Sequence, residues 1–142
     1  MKTLKQLSNE IKLCRKCKLW KTRTNAVPGE GNPKAKIMLI GQAPGKQEDL
    51  TGSPFVGRAG QYLNKVLKKN KIQRSKLFIT SIIKCFPPKN RKPYQSEIKK
   101  CKPYTIEQIK SIKPKLVIVM GKVAENTLKK DLQNLRIKAI TV

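Results

Sequence analysis

Apolar residues along the chain fall into short runs separated by stretches with helical spacing. Three runs are mostly apolar, at 37–40 (IMLI), 77–83 (LFITSII) and 116–120 (LVIVM), and a weaker run, IKAITV, covers 137–142. Apolar runs of this length, without strict alternation, are typical of strands that are buried on both faces. The pattern therefore predicts four strands, the first three of them buried.

Helical stretches lie between and around these runs. Residues 3–13 and 95–112 carry apolar side chains at near-helical spacing, a shorter helix is predicted near 122–130, and a further apolar stripe follows residue 57. That stripe consists of Ala59, Tyr62, Leu63, Val66 and Leu67. Strands that alternate with helices indicate an α/β fold, in which a central, mainly parallel sheet is flanked by helices on both faces. We expect one domain over residues 1–142.

In such sheets, ligands bind beyond the carboxyl ends of the strands. Three segments follow predicted strand ends: GQAPG at 41–45, the residues from Ser81 to Cys85, and Gly121-Lys122. We expect these segments to border one crevice.

Charge narrows the choice of ligand. The chain has 33 Lys and Arg against 8 Asp and Glu, a formal net charge of +25. A biased composition or an acidic membrane surface are alternatives, but an excess of this size favours binding to a polyanion such as nucleic acid. The chain has neither an apolar run long enough to span a bilayer nor the apolar core of a signal peptide. We expect a soluble, cytoplasmic protein that does not enter membranes.

Histidine is absent from the 142 residues. This excludes imidazole acid–base chemistry and histidine metal ligands within them. Carboxylates, hydroxyls, lysines, backbone groups or a cofactor must supply any chemistry.

Four cysteines stand at positions 14, 17, 85 and 101, the first two as C-x2-C. Buried free thiols and two disulfides are alternatives, but an intracellular chain disfavours disulfides. A C-x2-C turn brings two thiolates to one centre, and neighbouring lysines and arginines offset their charge. The spacing predicts a shared four-cysteine metal centre, in which either Zn²⁺ or an iron–sulfur cluster satisfies the chemistry.

The segment IGQAPGKQEDLTGSPFVGRAG, residues 40–60, has the glycine content of a phosphate-binding loop but not the spacing. Pro44 also removes a backbone donor that such a loop needs. The segment offers Gln42, the carboxylates Glu48 and Asp49, and Phe55 between proline and valine. Phe55 either stacks on a flat ligand or belongs to the core, and the two carboxylates are either functional or helix-capping groups.

Several motifs occur in a specific order along residues 4–125. They are C-x2-C-x-L-W, R-T-x-A-V-P-G-E-G, G-x-A-P-G-x-x-E-D-x-x-G-x-P-F-V-G-x-A-G and I-T-x-x-x-K-C-x-P-P-x-N-R-x-P, followed by the fourth cysteine. In this order they resemble the thermostable, iron–sulfur uracil-DNA glycosylases of family four.

The resemblance implies a three-layer uracil-DNA glycosylase fold that removes uracil from single- or double-stranded DNA. It implies a structural [4Fe–4S] cluster, with Zn²⁺ as the alternative, on Cys14, Cys17, Cys85 and Cys101. It implies a uracil site made by Gln42, Ala43, Phe55 and Ser81, in which Phe55 stacks on the flipped base. Catalytic roles are expected for Gln42, Glu48 and Asp49, and phosphate contacts for Arg23, Arg58, Lys84 and Arg91.

Three departures from the family pattern change the expectation. The family has glutamate where Gln42 stands, asparagine where Ser81 stands, and a C-terminal His-Pro motif that this sequence lacks. Loss of one transition-state donor typically costs ~10²–10³ in rate, so we expect reduced activity. We expect a monomer, unless a second chain or a further segment supplies the motif. The alternative is a non-catalytic iron–sulfur protein that only binds DNA.

Overall fold

The computed structural model describes residues 1–142 and contains ten main elements. They are α1 (Leu4–Lys12), β1 (Glu30–Gly31), β2 (Ile37–Gly41), α2 (Lys46–Thr51), α3 (Arg58–Lys69), β3 (Phe78–Ser81), α4 (Gln95–Ile112), β4 (Leu116–Val119), α5 (Lys122–Asn134) and β5 (Lys138–Thr141). Short 3₁₀ turns cover Lys18–Lys21, Arg74–Lys76 and Pro88–Asn90. The predicted α/β alternation is confirmed, although β3 ends two residues early and α5 continues four residues further. None of the helices combines the length and the apolar character that crossing a membrane demands.

The five strands form one sheet in the order β1-β3-β2-β4-β5. All neighbouring pairs are parallel except β1–β3, which is antiparallel. The sequence analysis missed β1, because two residues, Glu30 and Gly31, carry no strand pattern. Gly31 has φ +138°, and a Cβ there would lie 1.8 Å from the Leu77 carbonyl oxygen. Only glycine therefore allows this close approach of the edge strand.

Helices cover both faces of the sheet, but unequally. Alternate strand residues such as Met38, Ile40 and Val117 join a 19-residue cluster with α1, α4 and α5. On the other face, Leu39 and Ile79 form a four-residue cluster with Leu67 of α3. The chain thus has the predicted three layers, with most of the core on one side.

The apolar stripe of α3 is less buried than its spacing predicts. Only Leu67 is fully buried, whereas Tyr62 is 70% and Val66 38% exposed. Beside this helix, Ile118 is half-buried and Ile140 is 44% exposed, because α3 is the only helix packed on this face. Helical spacing shows which residues share one face of a helix. It does not show how much of that face the sheet covers.

Candidate functional site

A pocket opens at the carboxyl ends of β2 and β3, between the loops that follow them. Its volume is about 190 Å³, and since a cavity of about 150 Å³ binds benzene, the pocket suits a ligand of one aromatic ring. Four predicted site residues line it together, namely Ala43, Glu48, Phe55 and Ser81, with Val27, Pro44, Gly45, Pro54, Ala59, Gly60 and Asn90. The carboxyl edge of a parallel sheet is where such a site is expected.

Phe55 is held at this pocket by an unusual backbone conformation. Its φ is +50°, in the left-handed region that costs a non-glycine residue about 1–3 kcal/mol. The ring lies against Gly41, where a Cβ would stand 2.7 Å from Phe55 Cζ. A Cβ at Gly60 would stand 1.9 Å from the Phe55 carbonyl oxygen. Gly41 therefore makes room for the half-buried ring that lines the pocket, and Gly60 makes room for the backbone of Phe55.

Glu48 organises the loop around Phe55. Its Oε2 accepts hydrogen bonds from the amides of Val56 (2.8 Å) and Gly57 (2.6 Å), and its Oε1 accepts one from Gly45 (2.9 Å). Partial burial alone would raise the pKa of Glu48, but these backbone donors outweigh it and leave the pKa below its usual value. Glu48 is therefore an ionised group at the pocket wall near neutral pH.

The other two residues expected to be catalytic lie elsewhere. Asp49 is 5% exposed and does not line the pocket, and its Oδ1 accepts from the amides of Thr24 (2.8 Å) and Asn25 (3.2 Å). Asp49 thus anchors a neighbouring loop, which corrects its catalytic assignment. Gln42 is exposed and also absent from the pocket lining, although its carbonyl accepts from the Ile83 amide at 3.1 Å.

Asn90 is a pocket residue that the sequence analysis did not assign. It lies in the 3₁₀ turn Pro88–Asn90 with φ +56°, a conformation that asparagine tolerates better than most residues. Its position in the P-P-x-N-R-x-P motif was the available signal. Only folding brings Asn90 and Ser81 to the same pocket, and no local pattern groups the two.

All four cysteines line one cavity between α1, α4 and the loop after β3. Arg23 holds this region together: its Nη1 donates to the Cys14 carbonyl (2.9 Å) and to Cys85 Sγ (3.2 Å), and its Nη2 donates to the Lys12 carbonyl (3.1 Å). The Lys84 amide donates to Cys101 Sγ at 3.3 Å. Arg23 therefore faces the cysteines and does not present its guanidinium to a DNA phosphate, which corrects that expectation.

Burial keeps two of the four thiols protonated unless a cationic group binds them. Burial raises the pKa of Cys85, an effect that Arg23 offsets only in part, and burial raises the pKa of Cys101 to about 12 against the charge of Lys84. Buried thiols of this kind become thiolates when a cationic centre binds them. No three metal-ligating side chains of the chain stand close enough to hold a single ion. The four cysteines nevertheless share one cavity.

Lys84 is buried, with 1% exposure, and cannot contact DNA. Its Nζ donates to Thr80 Oγ1 (2.6 Å), the Ser81 carbonyl (2.7 Å) and Gln108 Oε1 (2.8 Å), and burial lowers its pKa to about 7. The predicted phosphate contact is therefore wrong. Lys84 instead connects the end of β3 to α4, between the pocket and the cysteine cavity.

The two remaining predicted phosphate contacts differ from each other. Arg91 forms two hydrogen bonds with Glu97, at 2.9 and 2.8 Å, and stacks on Tyr94 with 3.7 Å to the ring centroid. The Arg91 hydrogen bond lowers the pKa of Glu97. Arg58 is exposed at the start of α3 and makes no ion pair. Of the four basic residues expected at phosphates, Arg58 is the one with an exposed side chain and no ion-pair partner.

The sequence was compared with a family model and with individual relatives. The family model of the uracil DNA glycosylase superfamily matches residues 28–141. The chain is 46% identical to the type-4 uracil-DNA glycosylase of Saccharolobus solfataricus over 99% of the chain and 65% of that relative. It is 49% identical to that of Sulfurisphaera tokodaii over 86% of the chain and 56% of the relative, and 45% identical to that of Archaeoglobus fulgidus over 87% and 62%. The chain thus spans less than two thirds of the length of these relatives.

Proposed function

Because the chain belongs to the uracil DNA glycosylase superfamily and is similar to its type-4 members, we propose that it removes uracil from DNA by hydrolysing the N-glycosidic bond. The observation that carries this proposal is the pocket in which Phe55 is held in a left-handed turn against Gly41. A core residue would not need that conformation, whereas a ring that stacks on a flat ligand does need a fixed orientation.

The base must leave the duplex or single strand and enter the pocket, which costs a few kcal/mol of unstacking. Stacking on an aromatic side chain returns about 1–3 kcal/mol per base. Beyond the ring, Ser81 offers a hydroxyl and Asn90 an amide that both donates and accepts. Asn90 supplies the amide function that the serine at position 81 lacks, so together they recognise the polar edge of uracil.

Cleavage leaves positive charge on the sugar and negative charge on the departing uracil. The ionised Glu48 at the pocket wall stabilises the sugar cation and orients the attacking water. Since the 142 residues contain no histidine, the uracil oxyanion depends within them on backbone N–H groups near Ala43 and on the Asn90 amide.

The cysteine cavity holds a [4Fe–4S] cluster in this proposal, bound by Cys14, Cys17, Cys85 and Cys101. Zinc, with Zn–S bonds of about 2.3 Å, would need sulfurs ~3.8 Å apart. The four thiols share one cavity, and the resemblance of the cysteine motifs to the iron–sulfur family favours the cluster over zinc. When bound, the cluster contributes cross-links between α1, the loop after β3 and α4, and no bond-breaking step is assigned to it.

Net charge supports DNA as the partner. Of the eight carboxylates, Asp49 and Glu97 are buried, and Glu10, Asp131 and Glu125 pair with lysines. Four of the eight acidic side chains thus pair with lysine or arginine, and most of the 33 basic side chains remain at the surface. Such a surface attracts phosphates without reading sequence.

The central experiment is a glycosylase assay on a single-stranded oligonucleotide with one uracil, followed by alkaline cleavage at abasic sites. We expect cleavage at the uracil, and about tenfold slower single-turnover cleavage for Phe55→Ala, because ~1.4 kcal/mol of stacking is lost.

The matched control is Tyr62→Ala, which removes an exposed aromatic ring from the neighbouring helix and should leave the rate unchanged. If the wild-type chain binds the uracil strand more tightly than a uracil-free strand but never cleaves it, the non-catalytic DNA-binding alternative replaces this proposal. That alternative draws its support from Ser81 and Gln42, which depart from the family pattern.

A pair of arginine variants tests the DNA contacts. Arg58→Ala should weaken binding to any DNA and reduce the slope of log affinity against log salt by about 1, because one phosphate contact is lost. Arg91→Ala should leave that slope unchanged but lower the melting temperature by several degrees, since Glu97 loses both of its guanidinium hydrogen bonds. Salt titrations of binding and thermal melts measure the two effects. An unchanged salt slope for Arg58→Ala would remove Arg58 from the interface.

A further inference from the structure

We propose that Arg74 is a positioning residue that holds Phe55 in its stacking orientation before any ligand binds. The stacking role of Phe55 rests on the proposed function, but the hydrogen bonds between Arg74 and the Phe55 turn do not depend on it. No family motif in the sequence includes Arg74, which lies 19 positions after Phe55 in the 3₁₀ turn that precedes β3.

The Arg74 guanidinium binds the backbone of the Phe55 turn. Nη1 donates to the Phe55 carbonyl at 3.0 Å, and Nη2 donates to the Pro54 carbonyl at 2.5 Å. Nη1 also donates to Asn64 Oδ1 at 2.8 Å, which ties the same group to α3. No carboxylate pairs with Arg74. Its charge therefore acts on two consecutive carbonyl groups and not on an ion-pair partner.

A group of opposite charge binds the backbone amides of the two residues that follow Phe55. Val56 and Gly57 donate their amides to Glu48 Oε2. A cation thus binds the carbonyls of Pro54 and Phe55, while an anion binds the amides that follow. Charge-assisted hydrogen bonds of this kind are about twice as strong as neutral ones. Together they offset the unfavourable left-handed conformation of Phe55, and neither group needs to touch the ligand to do so.

Anchoring explains why Arg74 suits this role. The turn that carries it leads directly into Leu77 and β3, which are buried. The guanidinium is consequently fixed with respect to the sheet, including Ser81, which lines the pocket. Arg74 thereby sets the distance between the Phe55 ring and the opposite pocket wall, which determines whether a flat base fits.

The test compares Arg74→Gln and Arg74→Lys in the wild-type background and in the Phe55→Ala background, on the full chain with its metal centre. The first readout is amide hydrogen exchange at Val56 and Gly57. The second is selectivity, defined as the ratio of affinities for a uracil-containing and a uracil-free single strand. The matched control is Lys76→Gln, an exposed residue of the same turn.

We expect Arg74→Gln to speed exchange at Val56 and Gly57 about tenfold and to lower selectivity about tenfold, with a smaller effect for Arg74→Lys. In the Phe55→Ala background, Arg74→Gln should lower selectivity no further, because Arg74 acts through Phe55. Unchanged exchange, or an equal loss of selectivity in both backgrounds, would overturn the proposal. If the wild-type chain shows no preference for uracil, the proposed function fails, and hydrogen exchange still decides whether Arg74 holds the turn.

Discussion

We expect the Cys85→Ser variant to lose the proposed metal centre and much of its thermal stability. Cys85 is 7% exposed, lines the cavity shared by all four cysteines and accepts a hydrogen bond from Arg23. A serine hydroxyl is a much poorer ligand than a thiolate. Because the loss of a mere supporting contact costs ~10–100-fold in metal affinity, loss of a ligand should cost at least ~100-fold.

The stability effect follows from linkage. A group that binds only the folded chain, at 1,000 times its dissociation constant, stabilises it by about 4 kcal/mol. At about 3 °C per kcal/mol for a domain of this size, the melting temperature should fall by roughly 10 °C. Iron and sulfide analysis, visible absorbance and thermal melts measure the result.

Lys18→Ser is the control for Cys85→Ser, since it places serine at an exposed position beside Cys17. It should keep both metal content and melting temperature. If the wild-type chain contained one zinc ion and neither iron nor sulfide, the metal centre would be a zinc site and not a cluster. Full iron content in Cys85→Ser would show that Cys85 is not a ligand.

The second large effect is expected for Gly60→Ala. The added methyl group would stand 1.9 Å from the Phe55 carbonyl oxygen and 2.0 Å from its carbonyl carbon. These are backbone atoms, so no side-chain rotation relieves the overlap, and either α3 or the Phe55 turn must move. Such overpacking costs about 3 kcal/mol, which corresponds to a fall in melting temperature of roughly 10 °C. Selectivity for a uracil strand should disappear with it.

Lys65→Ala provides the comparison, because it introduces the same methyl group at an exposed position of the same helix. It should change neither the melting temperature nor selectivity. A Gly60→Ala variant that melts like the wild type and still prefers uracil would show that the Phe55 turn can shift without loss of the pocket, and would weaken the argument for a preformed stacking face.

Much of the site was predictable because its parts are local in the sequence. The segment 40–60 contains Ala43, Glu48 and Phe55, which the structure brings into one pocket with Ser81. The C-x2-C pair predicted that the cysteines act as a group, and all four line one cavity. Strand ends in a parallel sheet lie at one edge, so residues that follow different strands meet there.

Basic residues were predicted least well. Arg23 and Lys84 were expected at phosphates, yet one donates to the cysteine loop and the other is buried among Thr80, Ser81 and Gln108. A positive side chain reaches several ångströms from its backbone, and its partners come from distant segments. Gln108, for example, lies 24 positions from Lys84. Nothing in the local pattern distinguishes such a residue from a surface lysine.

Apart from the edge strand β1 and the short helix α2, the sequence by itself determined the order of helices and strands, the mainly parallel sheet, the grouping of the four cysteines and a pocket built from a glycine-rich segment. These features depend on apolar periodicity and on residue types with narrow chemistry, which a single strand, turn or spacing already displays. The tertiary structure alone decided the left-handed Phe55, the hold of Arg74 on its turn, and the inward course of Arg23 and Lys84. Each of these depends on contacts between a charged or aromatic side chain and backbone groups that are distant in the sequence. Such contacts form only when the sheet brings those segments together.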